Sequence, residues 1–252
     1  MALVGGASQG IGRATAELLA ARGARLILIS RRIEVLETLR ASLPNPSAHR
    51  SLAVDLERTD EVSLSLSRLI LEIGPVSIWV NNSGGPKAGP LMEAGPVEME
   101  RAFRGHLLAS QTILRSVLPG MRELGYGRII NVLSTSVKVP IPNLGVSNLI
   151  RAAMASWAKT LSAEIGPFGI TINNVLPGFT KTERLVGLAA DAAGRTGKSR
   201  GEVEAEWIRS IPARRLAEPA ETAEAIAFLA SPRAAYINGV SLPVDGGRTV
   251  AL

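Results

Sequence analysis

The residues best suited to chemistry lie near the start of the chain. Gly5-Gly6-Ala7-Ser8-Gln9-Gly10-Ile11-Gly12 follows a short apolar run, Ala2-Leu3-Val4, and leads into a segment with helical spacing. Glycines at Gly6, Gly10 and Gly12 let the backbone turn tightly and approach a charged group, and the N-terminus of the following helix favours an anion there. With Ser8, Gln9 and Ile11 they form a candidate cradle for a pyrophosphate. The second apolar run ends Ser30-Arg31-Arg32. A carboxylate there would bind the ribose hydroxyls of NAD; Arg31, with Arg32 beside it, is instead placed to pair with a 2′-phosphate. NADP(H) is therefore the expected cofactor.

These groups need a frame. Leu26 to Ile29 is apolar throughout, as expected for a parallel strand covered on both faces. Similar runs occur at Val76 to Val80, Ile129 to Leu133 and Ile170 to Val175. Between the first two strands, Ile11, Ala14, Leu18 and Leu19 follow helical spacing and Gly23 supplies a stop. Near the end, Pro219 opens a further helix with Ala223, Ile226, Ala227 and Ala230 as its apolar positions. Alternation of this kind implies right-handed crossovers and an α/β fold: one doubly wound parallel sheet of Rossmann type, with helices on both faces. No repeat or linker divides residues 1–252, so a single domain is expected. The stretch 180–215, rich in small, charged and Gly residues, breaks the rhythm and reads as a helical lid that builds the substrate pocket.

Composition sets limits. Hydrophobic residues make up 46% and charged residues 20%, which fits a globular protein. No apolar run approaches bilayer length, no signal-peptide layout is present, and there is no cysteine for disulfide or thiolate chemistry. A cytoplasmic protein with no membrane partner and no metal site is the expectation. The net charge of +6 raises the question of nucleic acid. Arg22, Arg25, Arg115, Arg122 and Arg128 are scattered, however, without interleaved aromatics, so a solvated basic surface is expected and no nucleic-acid partner. That charge would also attract a phosphorylated cofactor or an acidic acyl carrier.

The ordered set of segments resembles the short-chain dehydrogenase/reductase family along essentially the whole chain. The glycine loop matches that family's Thr-Gly-x-x-x-Gly-x-Gly, with Gly5 in place of the threonine. Asp55-Leu56 is similar to its adenine contact, and Asn81-Asn82-Ser83-Gly84 to its Asn-Asn-Ala-Gly. Asn173, Pro177-Gly178 and Thr182 resemble the stretch that holds the nicotinamide, and Tyr236 to Gly239 with Val244 to Gly247 resemble the C-terminal signature. The resemblance implies hydride transfer to or from a small-molecule carbonyl compound, acyl thioesters among the candidates, with a 3-oxoacyl-type ketone as the family-based expectation. It also implies a homo-oligomer, dimer or tetramer.

One departure changes the chemistry. Ser134 falls at the family's active-site serine, but Ser147 stands where the proton-donating tyrosine is expected and Arg151 replaces the lysine. His106 falls at the asparagine that completes the usual set. The only tyrosines, Tyr126 and Tyr236, lie in a turn and in the C-terminal signature. A serine hydroxyl is a weak acid, and arginine stays protonated, so Arg151 can contribute charge to an oxyanion and a bond to a ribose but cannot relay a proton. Three substitutes stay open: His106 as an acid titrating near neutral pH, Lys138 or Lys87 with a lowered pKa, or water protonating an enolate. So do two other readings: an NADP(H)-binding protein without turnover, and a non-redox enzyme that reuses the pocket.

Overall fold

The computed structural model describes residues 1–251. Its seven strands, β1 (Ala2–Gly5), β2 (Leu26–Ser30), β3 (Arg50–Ala53), β4 (Ile78–Asn81), β5 (Gly127–Val132), β6 (Ile170–Pro177) and β7 (Ser241–Val244), form one parallel sheet. Their order is β3-β2-β1-β4-β5-β6-β7. Alternating side chains of each strand go to opposite faces, so the apolar runs feed two cores at once. Ala2, Val4, Leu26 and Leu28 pack under α1 (Gly10–Ala21), α2 (Ile33–Ser42) and α9 (Pro219–Leu229). Leu3, Ile27, Ile29 and Trp79 pack under α3 (Thr59–Ile73), α5 (Ala109–Glu123) and α6 (Gly145–Ile165). The expected doubly wound α/β fold is present.

Three strand positions differ from those read in the sequence. β4 begins at Ile78, because the Ser77 and Ile78 N–H groups both go to the Met1 carbonyl and set the register there. β5 begins at Gly127 and so includes Arg128, which was expected on a solvated surface. Arg128 is buried: its Nη1 donates to the Gly127 and Gly169 carbonyls at 2.8 and 3.1 Å, and its guanidinium lies 4.2 Å from the Tyr126 ring centroid. β6 runs on to Pro177, paired with β7.

The segment expected as a lid contains α7 (Glu183–Thr196) and α8 (Arg200–Ser210). Thr182 caps α7 by accepting from the Leu185 N–H, and a capping box of Ser199 and Glu202 opens α8. The excursion is pinched at its base by a bridge between Thr180 and Ala217. It has its own small core of Leu185, Ile211 and Leu216, beside a Phe179–Trp207 stack with centroids 4.6 Å apart.

A polar ladder crosses the sheet where the site will form. Ser110 Oγ accepts from Asn81, Asn81 donates to Asn131, Asn131 to Asn174, and Asn174 to Ser241, all at 2.8–3.0 Å. Ser110 in turn donates to the His106 carbonyl at 2.6 Å. Satisfied buried networks of this kind fix one relative placement of the elements they join. No helix among the described residues is long and apolar enough to cross a membrane.

Candidate active site

The strand order reverses between β1 and β4, and at the carboxyl ends of the strands there a cavity of about 1480 Å³ opens. The glycine loop forms its floor. Gly6 has φ +58° and faces the Asn82 side chain; a Cβ on Gly12 would lie 2.2 Å from the Gly6 carbonyl oxygen. The loop is thus folded on itself more tightly than any side chain at Gly12 would permit. No side chain caps α1 and no acid occupies its first turn, so its N-terminal N–H groups present positive potential to the cavity. A cradle built from bare backbone at a helix start fits a nucleotide pyrophosphate.

Gly6, Ser8, Gln9, Gly10, Ile11, Ser30, Arg31, Arg32, Asp55, Leu56, Asn82, Ser83, Gly84, Pro177, Gly178 and Thr182 all line this cavity, together with His106, Ser134, Ser147 and Arg151. Gly12 does not; it sits behind the loop, where its role is close packing rather than contact. At one end, Arg32 donates to Gln9 Oε1 at 2.7 Å and reaches Ser8 Oγ at 3.4 Å, tying the end of β2 to the glycine loop. Arg31 is exposed on the cavity wall. Asp55 accepts from the Glu57 N–H at 3.0 Å and so shapes the turn it occupies. Thr182 spends its hydroxyl on the α7 cap, with its methyl against Gly10.

The other end gathers Ser134, Ser147, Arg151 and His106, the residues expected at the reaction centre. α6 buries Ser147, Arg151, Met154, Ala158 and Ser162 along one stripe, so the spacing of Ser147 and Arg151 brings both to the cavity face. Arg151 Nη1 donates to the Val132 carbonyl at 2.9 Å, while its buried Nε has no partner. Burial, then nearby Arg184, lowers the Arg151 pKa to about 10, which leaves it charged at neutral pH. Ser134 Oγ accepts from the Ser136 N–H at 3.1 Å and caps a short 3₁₀ turn.

His106 belongs to a π-helical turn, Arg104–Leu108, inserted between α4 (Pro96–Phe103) and α5. Such turns shift side-chain register and recur at functional sites. His106 Nδ1 shares a 2.8 Å hydrogen bond with Ser83 Oγ. Burial, then the Arg151 charge, pushes its pKa down to about 3. The expected titration near neutral pH is therefore overturned: His106 is a neutral imidazole in the working range, because a desolvated site beside a fixed cation disfavours a second cation.

This has a consequence for stability. Because the folded pKa lies below that of the unfolded chain, the unfolded state binds the extra proton as pH falls, and stability drops between about pH 6.5 and 3. From pH 7 to 4, His106→Asn should lose roughly 3 kcal/mol less unfolding free energy than the parent chain. Urea titrations at the two pH values check this; equal losses in both proteins would remove the argument.

Two further expectations are corrected. Asn173 is not in the cavity: it is buried, donates to the Ile237 carbonyl at 2.8 Å and accepts from the Val240 N–H, so it binds β6 to the C-terminal segment. Lys138 does not line the cavity either, since the 3₁₀ turn carries it outward, whereas Lys87 does. Neither tyrosine reaches the site. Tyr126 donates to the Ala230 carbonyl at 3.0 Å and Tyr236 is fully exposed. Sequence reading missed Arg184 and Arg248, which also line the cavity. Arg184 follows Thr182 closely enough to have been found; Arg248, 4.4 Å from the Phe179 ring, comes from a distant part of the chain.

A bare-backbone phosphate cradle at the switch point of a doubly wound sheet, continuous with a buried polar centre, defines a dinucleotide-binding protein of the oxidoreductase type. The chain belongs to the short-chain dehydrogenase/reductase family. The family model described as Enoyl-(Acyl carrier protein) reductase matches residues 6–249. The 3-oxoacyl-[acyl-carrier-protein] reductase FabG of Vibrio cholerae is 34% identical over 98% of this chain and 96% of that protein. The crystal structure of YwfH, an NADPH-dependent reductase involved in bacilysin biosynthesis, superposes with a TM-score of 0.94 at 27% identity, covering 100% of this chain and 98% of that one. The 3-ketoacyl-(acyl-carrier-protein) reductase of Brucella melitensis, complexed with NADH, gives 0.86 at 30% identity, with 99% and 98% covered.

Proposed function

We propose that this protein is an NADP(H)-dependent oxidoreductase that reduces a conjugated carbonyl compound. The observation that carries this reading is the pairing of an open phosphate cradle with a reaction centre whose fixed charge is the buried, protonated Arg151. The glycine loop, the α1 N-terminus, Arg31 and Arg32 would hold the nucleotide, and its nicotinamide would supply hydride. Reduction of a plain 3-oxoacyl ketone, as the name of FabG suggests, needs a proton at the carbonyl oxygen. The tyrosine that delivers it elsewhere in the family is Ser147 here, and His106 is neutral. A conjugated substrate has a different need. Hydride delivered to the β-carbon would turn the alkene π pair into the α-carbon–carbonyl-carbon double bond and send the carbonyl π pair to oxygen, where Arg151 would stabilise the enolate charge. Ser134 and Ser147 orient that oxygen, and water then protonates the α-carbon. General acid catalysis, worth on the order of 10²–10⁴ in rate, is not required at the first step.

Preference for NADP(H) over NAD(H) follows from Arg31 and Arg32 where a ribose-binding carboxylate would stand. Arg31→Ala should weaken NADPH by about tenfold or more and leave NADH unchanged in a fluorescence titration. Equal effects on the two cofactors would mean that the 2′-phosphate is not read here. The reading also includes a homo-oligomer, dimer or tetramer, in the cytoplasm.

The test is an NADPH-oxidation screen over enones, ketones and acyl thioesters beside a direct NADPH titration. Turnover of enones above ketones is expected. Tight NADPH binding with no oxidation of any compound would favour the second reading, to which the lost phenol also points: a cofactor-binding protein without redox turnover, or a non-redox enzyme using the same pocket.

A further inference from the structure

The reaction end of the cavity holds more positive charge than reduction of a neutral carbonyl compound requires. Arg151 comes from α6 and Arg184 from the first turn of α7, and the two are close enough that Arg184 disfavours the Arg151 charge. Neither has a carboxylate within 4.0 Å among the described residues. Arg151 gives one nitrogen to the Val132 carbonyl and has an orphaned, buried Nε. Arg184, exposed at the cavity mouth, donates to the Pro86 carbonyl at 2.6 Å, which draws the lid onto the loop that follows β4. His106, bonded to Ser83 and near Arg151, adds no charge of its own at neutral pH.

A desolvated cation is costly to keep unpaired, so a fold that buries Arg151 with an orphaned Nε, and sets Arg184 near it at the cavity mouth, is arranged for an anion supplied from outside. The acids on the cavity wall do not fill that role. Glu57 is paired with Arg101 and Asp55 is held in its own turn; Glu98 and Glu183 form no ion pair with either arginine. Asp191, farther along α7, acts on Arg184 only at a distance. The nucleotide phosphates have a separate reception at the glycine loop and at Arg31 and Arg32. Arg184 instead bonds to Pro86, in the loop that runs from Ser83 and so adjoins the His106 side of the cavity.

We propose that the substrate carries a carboxylate, bound by Arg184 from the lid with Arg151 behind it, so that the compound reduced is a conjugated keto acid. This deepens the functional reading above and rests on it for the chemistry, but not for the binding. A guanidinium engages a carboxylate through paired N–H donors, which fixes the anion and, through the rigid conjugated chain, the carbonyl at its other end. The lid contact to the Pro86 loop and the binding of the acid then share one arginine.

The test uses matched pairs: benzoylacrylate and acetylacrylate, their methyl esters, and the saturated acids and esters as compounds that lack the alkene. Calorimetric titration of the saturated pairs, with and without bound NADP⁺, reads binding alone. At least one acid should bind about tenfold or more tighter than its ester. Arg184→Met should bring the acid to the ester's affinity without changing NADPH affinity, Arg184→Lys should restore part of the difference, and Arg195→Gln, the same charge change on the outer end of α7, should do nothing. The proposal is overturned if no acid outbinds its ester, including the case in which none binds, or if Arg184→Met weakens NADPH as much as the acid. Carboxylate discrimination without NADPH oxidation by the acrylates would sink the reductase reading and leave this site standing. Oxidation at equal rates with acids and esters, without discrimination, would do the reverse.

Discussion

Gly12→Ala should weaken nucleotide binding severely while the chain still folds. The added Cβ would lie 2.2 Å from the Gly6 carbonyl oxygen and 2.7 Å from the Asn82 amide nitrogen. The first neighbour is backbone and cannot rotate away, so the loop itself must move. Overpacking of this kind costs about 1–3 kcal/mol where side chains can adjust, and here they cannot. A loss of about a hundredfold or more in NADPH affinity is therefore expected. The sheet does not depend on the loop's curvature, so a cooperative thermal transition should persist. Gly194→Ala, on α7 with open space at the Cβ position, is the matching control and should bind NADPH normally. Retained affinity in Gly12→Ala would show that the cavity floor is not the phosphate cradle.

Arg151→Met should have the second largest effect, a fall in kcat by roughly a hundred- to a thousandfold, the range seen when one preorganised stabiliser of a developing oxyanion is removed. Part of any loss will be structural, because the Val132 carbonyl also loses its donor. Arg151→Lys separates the two contributions: an ammonium restores charge but not the planar donor set, so partial rescue of kcat identifies electrostatic work. The pH profile carries the same message. With His106 at about 3 and Arg151 at about 10, kcat should stay flat across the neutral range and fall as pH rises through about 10, where the guanidinium loses its proton. A break near neutral pH that disappears in His106→Asn would restore the imidazole as proton donor and displace the enolate scheme.

The frame and the expected nucleotide cradle are legible in the linear chain. Runs such as Leu26 to Ile29 are apolar at every position only because helices cover both faces, and that pattern is local enough to read from a linear string. The glycine loop is equally legible, since Gly6, Gly10 and Gly12 are demanded by backbone geometry within one turn. The absence of a phenol near the reaction centre was also readable, because the chain has two tyrosines and both lie in segments that pack elsewhere.

The charge states and partners at the other end of the cavity depend on residues that meet only in the folded chain. His106 looked like a neutral-range acid because an isolated imidazole is one; its burial beside Arg151, across a gap of 45 residues in sequence, makes it otherwise. Arg128 looked solvated until β5 closed around it, and Asn173 looked like a cofactor contact until β6 turned it toward Ile237. The Asn81–Asn131–Asn174 ladder and the meeting of Arg151 with Arg184 arise from strand order and lid placement. Desolvation and Coulomb interaction depend on what surrounds a group in three dimensions, whereas strand pattern and loop conformation depend mainly on neighbours along the chain.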